Sequence, residues 1–155
     1  MARILIVYES QYGNTETLAK AMGKAIGATV LSVSETKMEH LQDLDALIVG
    51  SPTQAFQPLK PMKAFLQELP PKTVQGVKVA AFDTRMDVKQ THNRLLIFLA
   101  GLFGYAAKPM AGMLVKKGGI QTMEPKGFLV DGNEGPLHEG ETERAEQWVK
   151  QITIQ

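Results

Sequence analysis

The sequence predicts a three-layer α/β/α sandwich built around a five-stranded parallel sheet. Apolar blocks of strand length alternate along the chain with segments whose apolar residues recur at helical spacing. These blocks are mostly apolar throughout, a pattern typical of strands that are covered by helices on both faces. The 155 residues, 44% of them hydrophobic, suit one domain over residues 1–155 with a substantial core.

The first half of the chain shows the alternation clearly. Ile4 to Tyr8 is the first predicted strand. Leu18, Met22 and Ile26 then follow at helical spacing, and Gly27 is the expected end of that helix. Two further apolar blocks predict the second and third strands, at Thr29 to Val33 and at Ala46 to Gly50.

The second half continues the same order. Pro61 begins a predicted helix that ends before Pro70, and Val77 to Phe82 forms the fourth strand. The fifth strand is less regular, because Pro125 interrupts its apolar residues between two short pieces, Ile120 to Met123 and Phe128 to Val130. The last predicted helix carries a periodic apolar face behind three acidic residues; that face consists of Ala145, Trp148, Val149 and Ile152.

The segment between the fourth and fifth strands is longer than one helix needs. Pro109 is expected to divide it into an apolar run, Leu95 to Phe103, and a second helix that ends at Gly118. Because the run is hydrophobic on all sides, we favour burial within the domain or between protomers of a homo-oligomer. The alternative is an exposed apolar lip for a quinone, a lipid interface or a redox partner. The run is too short to span a membrane.

Composition limits the partners and the chemistry. The net charge of +1 gives no field strong enough to favour nucleic acid or an anionic membrane. The chain contains no cysteine, so redox chemistry would require an added organic cofactor. The amino-terminal apolar block is too short for a signal peptide, and a cytoplasmic location is therefore expected.

A polar loop follows the first predicted strand and leads directly into a helix. Unpaired N–H groups and the positive end of the helix dipole meet there, which favours an anion such as phosphate. Neutral donors alone would hold the phosphate, since the loop contains neither Lys nor Arg. The same residue types are also ordinary helix caps, so a ligand-free turn remains an alternative. The loop consists of Ser10, Gln11, Tyr12, Gly13, Asn14 and Thr15.

Two other predicted strand ends carry polar residues where a turn could be featureless. The segment "SPTQAFQP", residues 51–58, follows the third strand, and "DTRMD", residues 83–87, follows the fourth. In a parallel sheet the carboxyl ends of the strands lie at one edge, and ligands bind in the crevice beyond them. We therefore expect three loops to share one binding crevice.

Together these segments resemble the flavodoxin-like FMN-binding proteins over essentially the full chain. The first loop is similar to the family's hydroxyl-x-hydroxyl-Gly-x-Thr pattern, with Tyr12 replacing the middle hydroxyl residue. The resemblance implies a sheet of strand order 2-1-3-4-5 and FMN as cofactor, its phosphate held by the first loop. It also implies that the isoalloxazine ring lies along Pro52, Thr53, Gln54, Ala55 and Phe56, and is bordered on its other side by Asp83, Thr84 and Arg85.

Two departures from the electron-carrier pattern leave the role open. Electron-carrier flavodoxins typically have a strongly acidic surface, whereas this chain is nearly neutral. Their fourth-strand loop usually carries an aromatic residue, whereas this one carries Arg85, Met86 and Val88. With Phe56 as the only expected ring beside the flavin, its other face should be open to a second substrate.

The sequence therefore predicts an FMN-binding oxidoreductase or electron-transfer protein. An FMN-dependent quinone or nicotinamide oxidoreductase and a carrier that serves a redox partner protein are alternatives. An FMN-free interaction module of the same fold is the alternative from another class. His40, His92 and His138 lack metal-ligand spacing, and no catalytic residue or metal site is predicted.

Overall fold

A mostly parallel β-sheet forms the centre of the computed structural model, which describes residues 2–154. Within this range the strands are β1 (Ile4–Tyr8), β2 (Thr29–Ser32), β3 (Ala46–Gln54), β4 (Gln57–Pro58), β5 (Lys78–Met86), β6 (Ile120–Gln121) and β7 (Lys126–Val130). The helices are α1 (Asn14–Ile26), α2 (Lys60–Glu68), α3 (Arg94–Phe103), α4 (Ala107–Lys116), α5 (Glu141–Val149) and α6 (Gln151–Ile154). Two short 3-10 helices, Met38–Leu41 and Val88–Thr91, complete the description.

The strand order across the sheet is β2-β1-β3-β5-β6, with β7 also paired to β5. The strand β6 pairs with the first residues of β5, and β7 pairs with its last five residues. These two short strands therefore share the edge position predicted for one fifth strand, and Pro125 lies in the gap between them. The predicted order 2-1-3-4-5 is confirmed, with its last strand divided as the proline indicated.

Both faces of the sheet are covered, as the continuous apolar strands predicted. Leu5 and Val7 of β1 contribute to a core that includes buried residues of α2 and α4. Ile4 and Ile6 point to the opposite face, because successive strand side chains alternate, and pack with residues of α1 and α5. Edge-to-face contacts join the largest side chains of this second core, which are Phe82, Phe128 and Trp148.

The predicted helix boundaries in α1 and α2 are confirmed. Gly27 ends α1 in a left-handed conformation (φ 70°), and its N–H donates to the carbonyl oxygen of Gly23. Pro61 lies in the first turn of α2, where a missing N–H has no cost. The helix ends at Glu68, before Pro70.

The strands β3 and β5 are longer than predicted. Residues 51–54 and 83–86 continue the strands rather than forming loops. Pairing with a neighbour explains the extension, because Ser51 lies opposite Asp83 and Pro52 opposite Thr84 in the parallel ladder. The polar side chains therefore project from rigid strand ends.

The predicted break at Pro109 is wrong. The chain leaves α3 at Gly104, which adopts a positive φ of 75°, and Pro109 lies in the first turn of α4, where proline is tolerated. The predicted burial of α3 within the domain is also wrong. Its large apolar residues Leu95, Phe98, Leu102 and Phe103 are 60–65% exposed, and Ala100 is its buried residue. A contact of this helix between protomers stays a prediction.

The stretch Arg94–Lys116, which contains α3 and α4, is long and apolar enough to cross a membrane by length and composition alone, with a mean hydropathy of 1.5 over an 18-residue window. However, α4 supplies Met110, Ala111 and Leu114 to the core beside the sheet. This makes the stretch weak evidence for a span.

Candidate functional site

A cavity of about 290 Å³ opens at the carboxyl ends of β1, β3 and β5. The loop after β1, the β3–β4 hairpin, the end of β5, α3 and the loops on either side of it, and the loop after β7 surround it. It is lined by all of the residues that the sequence assigned to the site except Gly13 and Asp83. Gly13 forms the turn of the first loop, and Asp83 is fully buried and binds the lining residue Arg85.

The first loop turns into α1 through Gly13, whose φ of 92° is accessible to glycine at little cost. The Ser10 hydroxyl oxygen accepts hydrogen bonds from the N–H groups of Gly13 (3.1 Å) and Glu16 (3.4 Å) and so closes the turn. Within residues 2–154, no partner accepts from the N–H groups of Gln11, Tyr12, Asn14 and Thr15. These free donors lie at the positive end of the α1 dipole, where an anion is favoured.

Two side chains connect the first loop to its surroundings. The hydroxyl groups of Thr15 and Thr84 are 2.9 Å apart and both residues are buried. If Thr84 is the donor of this pair, the Thr15 hydroxyl keeps its own hydrogen for a ligand. The Asn14 side-chain amide donates instead to the carbonyl oxygen of Glu134 (2.9 Å), which ties the first loop to the loop after β7.

The β3–β4 hairpin is held in an uncommon conformation. Its two turn residues, Ala55 and Phe56, both have positive φ values of 49° and 67°, a region that costs most side chains roughly 1–2 kcal/mol. The Ser51 hydroxyl fixes the base of the hairpin by accepting from the N–H of Leu59 (3.0 Å). The Phe56 ring packs against Phe103 of α3, with 5.8 Å between the ring centroids, so the hairpin and α3 form one side of the cavity.

A buried ion pair lies at the end of β5. Asp83 is fully buried and accepts from Arg85 Nε and Nη2, each at 2.7 Å, and from the N–H of Ala107 at 2.9 Å. The two residues are two positions apart on one strand, so their side chains share a face of the sheet. Burial raises the pKa of the Asp83 carboxyl, and the Arg85 guanidinium and the Ala107 N–H oppose this rise. The two-pronged geometry is that of an ionised pair.

Tyr105 and Gly127 also hold the guanidinium of Arg85 in place. Its Cζ atom lies 3.7 Å from the centroid of the Tyr105 ring, a cation–π contact. Gly127 of β7 also lies against it, since a Cβ atom at this position would come within 2.1 Å of the guanidinium. Among the described residues that line the cavity, Arg85 alone is charged, so the wall contains one immobilised guanidinium, whose counter-ion Asp83 lies outside the lining.

The sequence did not identify Tyr105 as a site residue. The end of β5 carries no aromatic residue, as predicted, but Tyr105 lines the cavity from the α3–α4 connection, together with Tyr12 and Phe56. Tyr105 therefore adds a ring to the cavity wall that the sequence did not indicate, and the expectation of Phe56 as the only ring beside the flavin stays a prediction. Tyr105 lies far along the chain from Arg85, and its one sequence signal is that it follows Gly104, where α3 ends.

The sequence model of the flavodoxin family matches residues 6–148. The chain belongs to the flavodoxin family. Proteins of this family bind FMN and transfer electrons, so the predicted family, fold class and cofactor are confirmed. In the flavodoxin-like fold, FMN binds in the crevice beyond the carboxyl ends of the strands.

Similar proteins include both flavodoxins and quinone dehydrogenases. A flavodoxin from Clostridium saccharobutylicum is 27% identical over 150 residues, which cover 92% of this chain and 90% of the relative. An NAD(P)H dehydrogenase (quinone) from Caulobacter vibrioides is 34% identical over 90 residues, and this match covers 42% of the chain and 45% of the relative. The structure of an archaeal flavodoxin has the same fold, with a TM-score of 0.75 and 23% identity over 98% of this chain and 96% of that one.

Proposed function

We propose that FMN binds in the cavity with its phosphate on the loop from Ser10 to Thr15. The free N–H groups of this loop and the amino terminus of α1 support the placement, because they suit an anion without a basic side chain. The isoalloxazine ring would lie between the β3–β4 hairpin and the Arg85–Tyr105 pair. The cavity is at the lower end of the size range of small-molecule sites, which implies that part of the ring stays accessible.

Bound FMN supplies transfer of one or two electrons through its isoalloxazine ring. The residues of the chain determine the electrostatic environment of that ring. Arg85 would face a group that becomes more electron-rich when reduced, and a fixed cation stabilises such a change without reorganising. From the fixed guanidinium of Arg85 in the cavity wall, we propose that the protein takes electrons from a reduced nicotinamide and passes them through FMN to a small acceptor of the quinone class.

The apolar side of the cavity supports a quinone as the acceptor. Leu96 of α3 lines the cavity, and Phe103 extends the same surface through its contact with Phe56. A quinone is planar and apolar and takes up two electrons and two protons. The apolar side chains would orient its ring against the accessible face of the flavin and exclude water from the contact.

A protein electron carrier is the second candidate. The match to the Clostridium flavodoxin extends over nearly the whole of both chains, whereas the match to the quinone dehydrogenase covers less than half of each. In this role the same cavity would hold FMN, and the electron acceptor would be a redox partner protein instead of a quinone.

The test is a measurement on the FMN-loaded protein. The charge-neutral double variant Asp83→Asn/Arg85→Gln should lower the midpoint potential of the bound flavin, by about 30 mV for each 1.4 kcal/mol of lost stabilisation of the reduced form, and should slow quinone reduction. Glu143→Gln/Lys150→Gln also removes one charge of each sign, from exposed residues on and at the end of α5 that do not line the cavity, and is the matched control. If the double variant leaves the midpoint potential of the flavin unchanged, Arg85 does not stabilise the reduced form. If the wild type turns over with no combination of nicotinamide and quinone, the electron-carrier function is favoured.

A further inference from the structure

The helix α3 exposes an apolar face that the fold leaves uncovered. Leu95, Phe98 and Leu102 follow at spacings of three and four residues and so lie on one side of the helix, each 64–65% exposed, and Phe103 beside them is 60% exposed. These four side chains expose about 500 Å², taking roughly 200 Å² for each fully exposed large side chain. Apolar patches of this size on soluble proteins are often functional.

The charge around this face is one-sided. Residues 88–115, which include α3, contain Lys89, Arg94 and Lys108 but no Asp or Glu. Of the two acidic residues before this segment, Asp83 is paired with Arg85, and Asp87 lies at its start, where its carboxylate accepts from the N–H of Lys89 (3.1 Å). Other acidic residues near the cavity, Asp131 and Glu134, lie on the loop after β7. The chain therefore contains a basic segment although its net charge is only +1.

We infer that α3 docks on an anionic lipid bilayer, with Leu95, Phe98 and Leu102 among the headgroups and upper acyl chains. An apolar helix face flanked by exposed Lys and Arg is the arrangement that binds the surface of such a bilayer. The exposed cations at its ends, Lys89 and Arg94 before the face and Lys108 after it, would lie against the lipid phosphates. Insertion needs only about 5–10 Å of depth, which one helix supplies.

The same observations disfavour a second copy of the chain as the occupant. The apolar area does not decide the matter, because roughly 57% of the about 800 Å² per partner at a stable protein interface is apolar, and the charges do. Two copies joined through α3 would bring two basic segments together without acidic residues between them, and like charges at an interface are unfavourable. An anionic lipid surface satisfies both the apolar face and the cations.

Docking through α3 would place the cavity at the lipid surface. Leu96 of the same helix lines the cavity, and Phe103 contacts Phe56 of the hairpin that borders it. The quinone of the proposed function would then be a lipid-soluble one that reaches the site from the bilayer. This last step rests on the proposed function, whereas lipid binding itself does not.

The test is co-sedimentation of the FMN-loaded full chain with phospholipid vesicles. The protein should co-sediment with vesicles of phosphatidylcholine that contain phosphatidylglycerol. Its affinity for pure phosphatidylcholine vesicles should be lower by about tenfold or more. Phe98→Glu should reduce binding to the anionic vesicles by at least about tenfold. Ile120→Glu changes an apolar residue on β6 that is 54% exposed, and should bind as the wild type does. Thermal melting would verify that both variants fold.

Three results would overturn the inference. The wild type could stay in the supernatant with anionic vesicles, it could bind both vesicle types equally, or Phe98→Glu could bind as well as the wild type. Light scattering that finds a dimer abolished by Phe98→Glu, without vesicle binding, would assign the face to a second copy instead. Vesicle binding by a protein that reduces no quinone would contradict the proposed function alone and leave the lipid interface supported.

Discussion

A hydrogen bond between two threonine hydroxyls connects the loop after β1 to the sheet, and it tests the proposed binding of the FMN phosphate to this loop. Thr15→Ala removes one hydroxyl from the pair with Thr84, whose 2.9 Å separation shows a hydrogen bond. We expect FMN affinity to fall roughly 10- to 100-fold, because a hydrogen bond to a charged group contributes on the order of 1.5–3 kcal/mol. Riboflavin affinity should change less, since riboflavin lacks the phosphate. Fluorescence titration of the apoprotein would measure both.

Two observations would decide how this result is interpreted. Thr15→Ser keeps the hydroxyl and should restore most of the affinity for FMN. Equal weakening of FMN and riboflavin by Thr15→Ala would instead place the phosphate elsewhere.

The Asp83–Arg85 pair predicts a strong asymmetry between single and double variants. Arg85→Met leaves a fully buried carboxylate without its guanidinium, and such a loss costs about 3–5 kcal/mol of the free energy of unfolding. Asp83→Asn/Arg85→Gln removes both charges but keeps polar groups, so it should cost less than the single variant. Urea denaturation monitored by the fluorescence of Trp148 would measure both. A double variant less stable than Arg85→Met would show that the two charges do not act as a pair.

Most of the candidate site could be predicted from sequence because its residues follow the strands directly. The segment "SQYGNT" follows β1, and its free N–H groups are a consequence of its position before α1. Tyr105 could not be predicted, because nothing local relates it to β5. It reaches Arg85 only because α3 and its loop return the chain to the end of the sheet.

At the scale of elements, the junction of β7 and α5 depends on one carboxylate. Glu141 accepts from the N–H of Leu129 (2.6 Å) and from Arg144 Nε and Nη2 (2.8 and 2.7 Å). Burial by itself raises the pKa of Glu141, but the Arg144 and Leu129 hydrogen bonds outweigh it, and the pKa is lowered. The loop after β7, which carries Asn133 into the cavity wall, begins beside this junction.

The lowered pKa of Glu141 predicts a pH dependence of stability. A carboxyl with a depressed pKa in the folded state contributes stability above its unfolded pKa, about 4.3, and loses this stability as the pH falls through the folded pKa. Glu141→Gln should therefore lower the free energy of unfolding at neutral pH by about 1–3 kcal/mol, and the difference should shrink in acid. Glu143→Gln, an exposed neighbour in the same turn, is the control. A pH-independent difference would exclude the ionised form as the source.

The elements whose limits follow from local chemistry were predicted well, and those that depend on neighbours were not. Gly27 and Pro125 mark the end of α1 and the gap in the fifth strand by their own backbone properties. The extension of β3 and β5 through Ser51 and Asp83 depends on pairing between strands that are distant in sequence. The apolar composition of α3 indicated burial, but composition cannot reveal whether the rest of the chain covers a helix.

At the scale of the whole molecule, opposite charges nearly cancel in number but not in position. The basic residues Lys89, Arg94 and Lys108 lie on or beside α3 and at the start of α4, without acidic residues among them. A long-range field steers charged partners and is screened over about 10 Å at 0.1 M salt. The distribution of charge therefore separates the two candidate acceptors, because a quinone is neutral and a protein partner of this surface would be acidic.

The last prediction uses this difference. With a reduced nicotinamide and a soluble, uncharged quinone, we expect the FMN-loaded protein to turn over without a second protein. The rate of the quinone step should change little between about 0.05 and 0.5 M salt, since a neutral acceptor feels no steering. Stopped-flow reoxidation of the reduced protein by the quinone isolates this step from the charged nicotinamide. Electron exchange that occurs only with an acidic redox protein and slows steeply with added salt would instead identify a carrier, with the basic segment as its docking field.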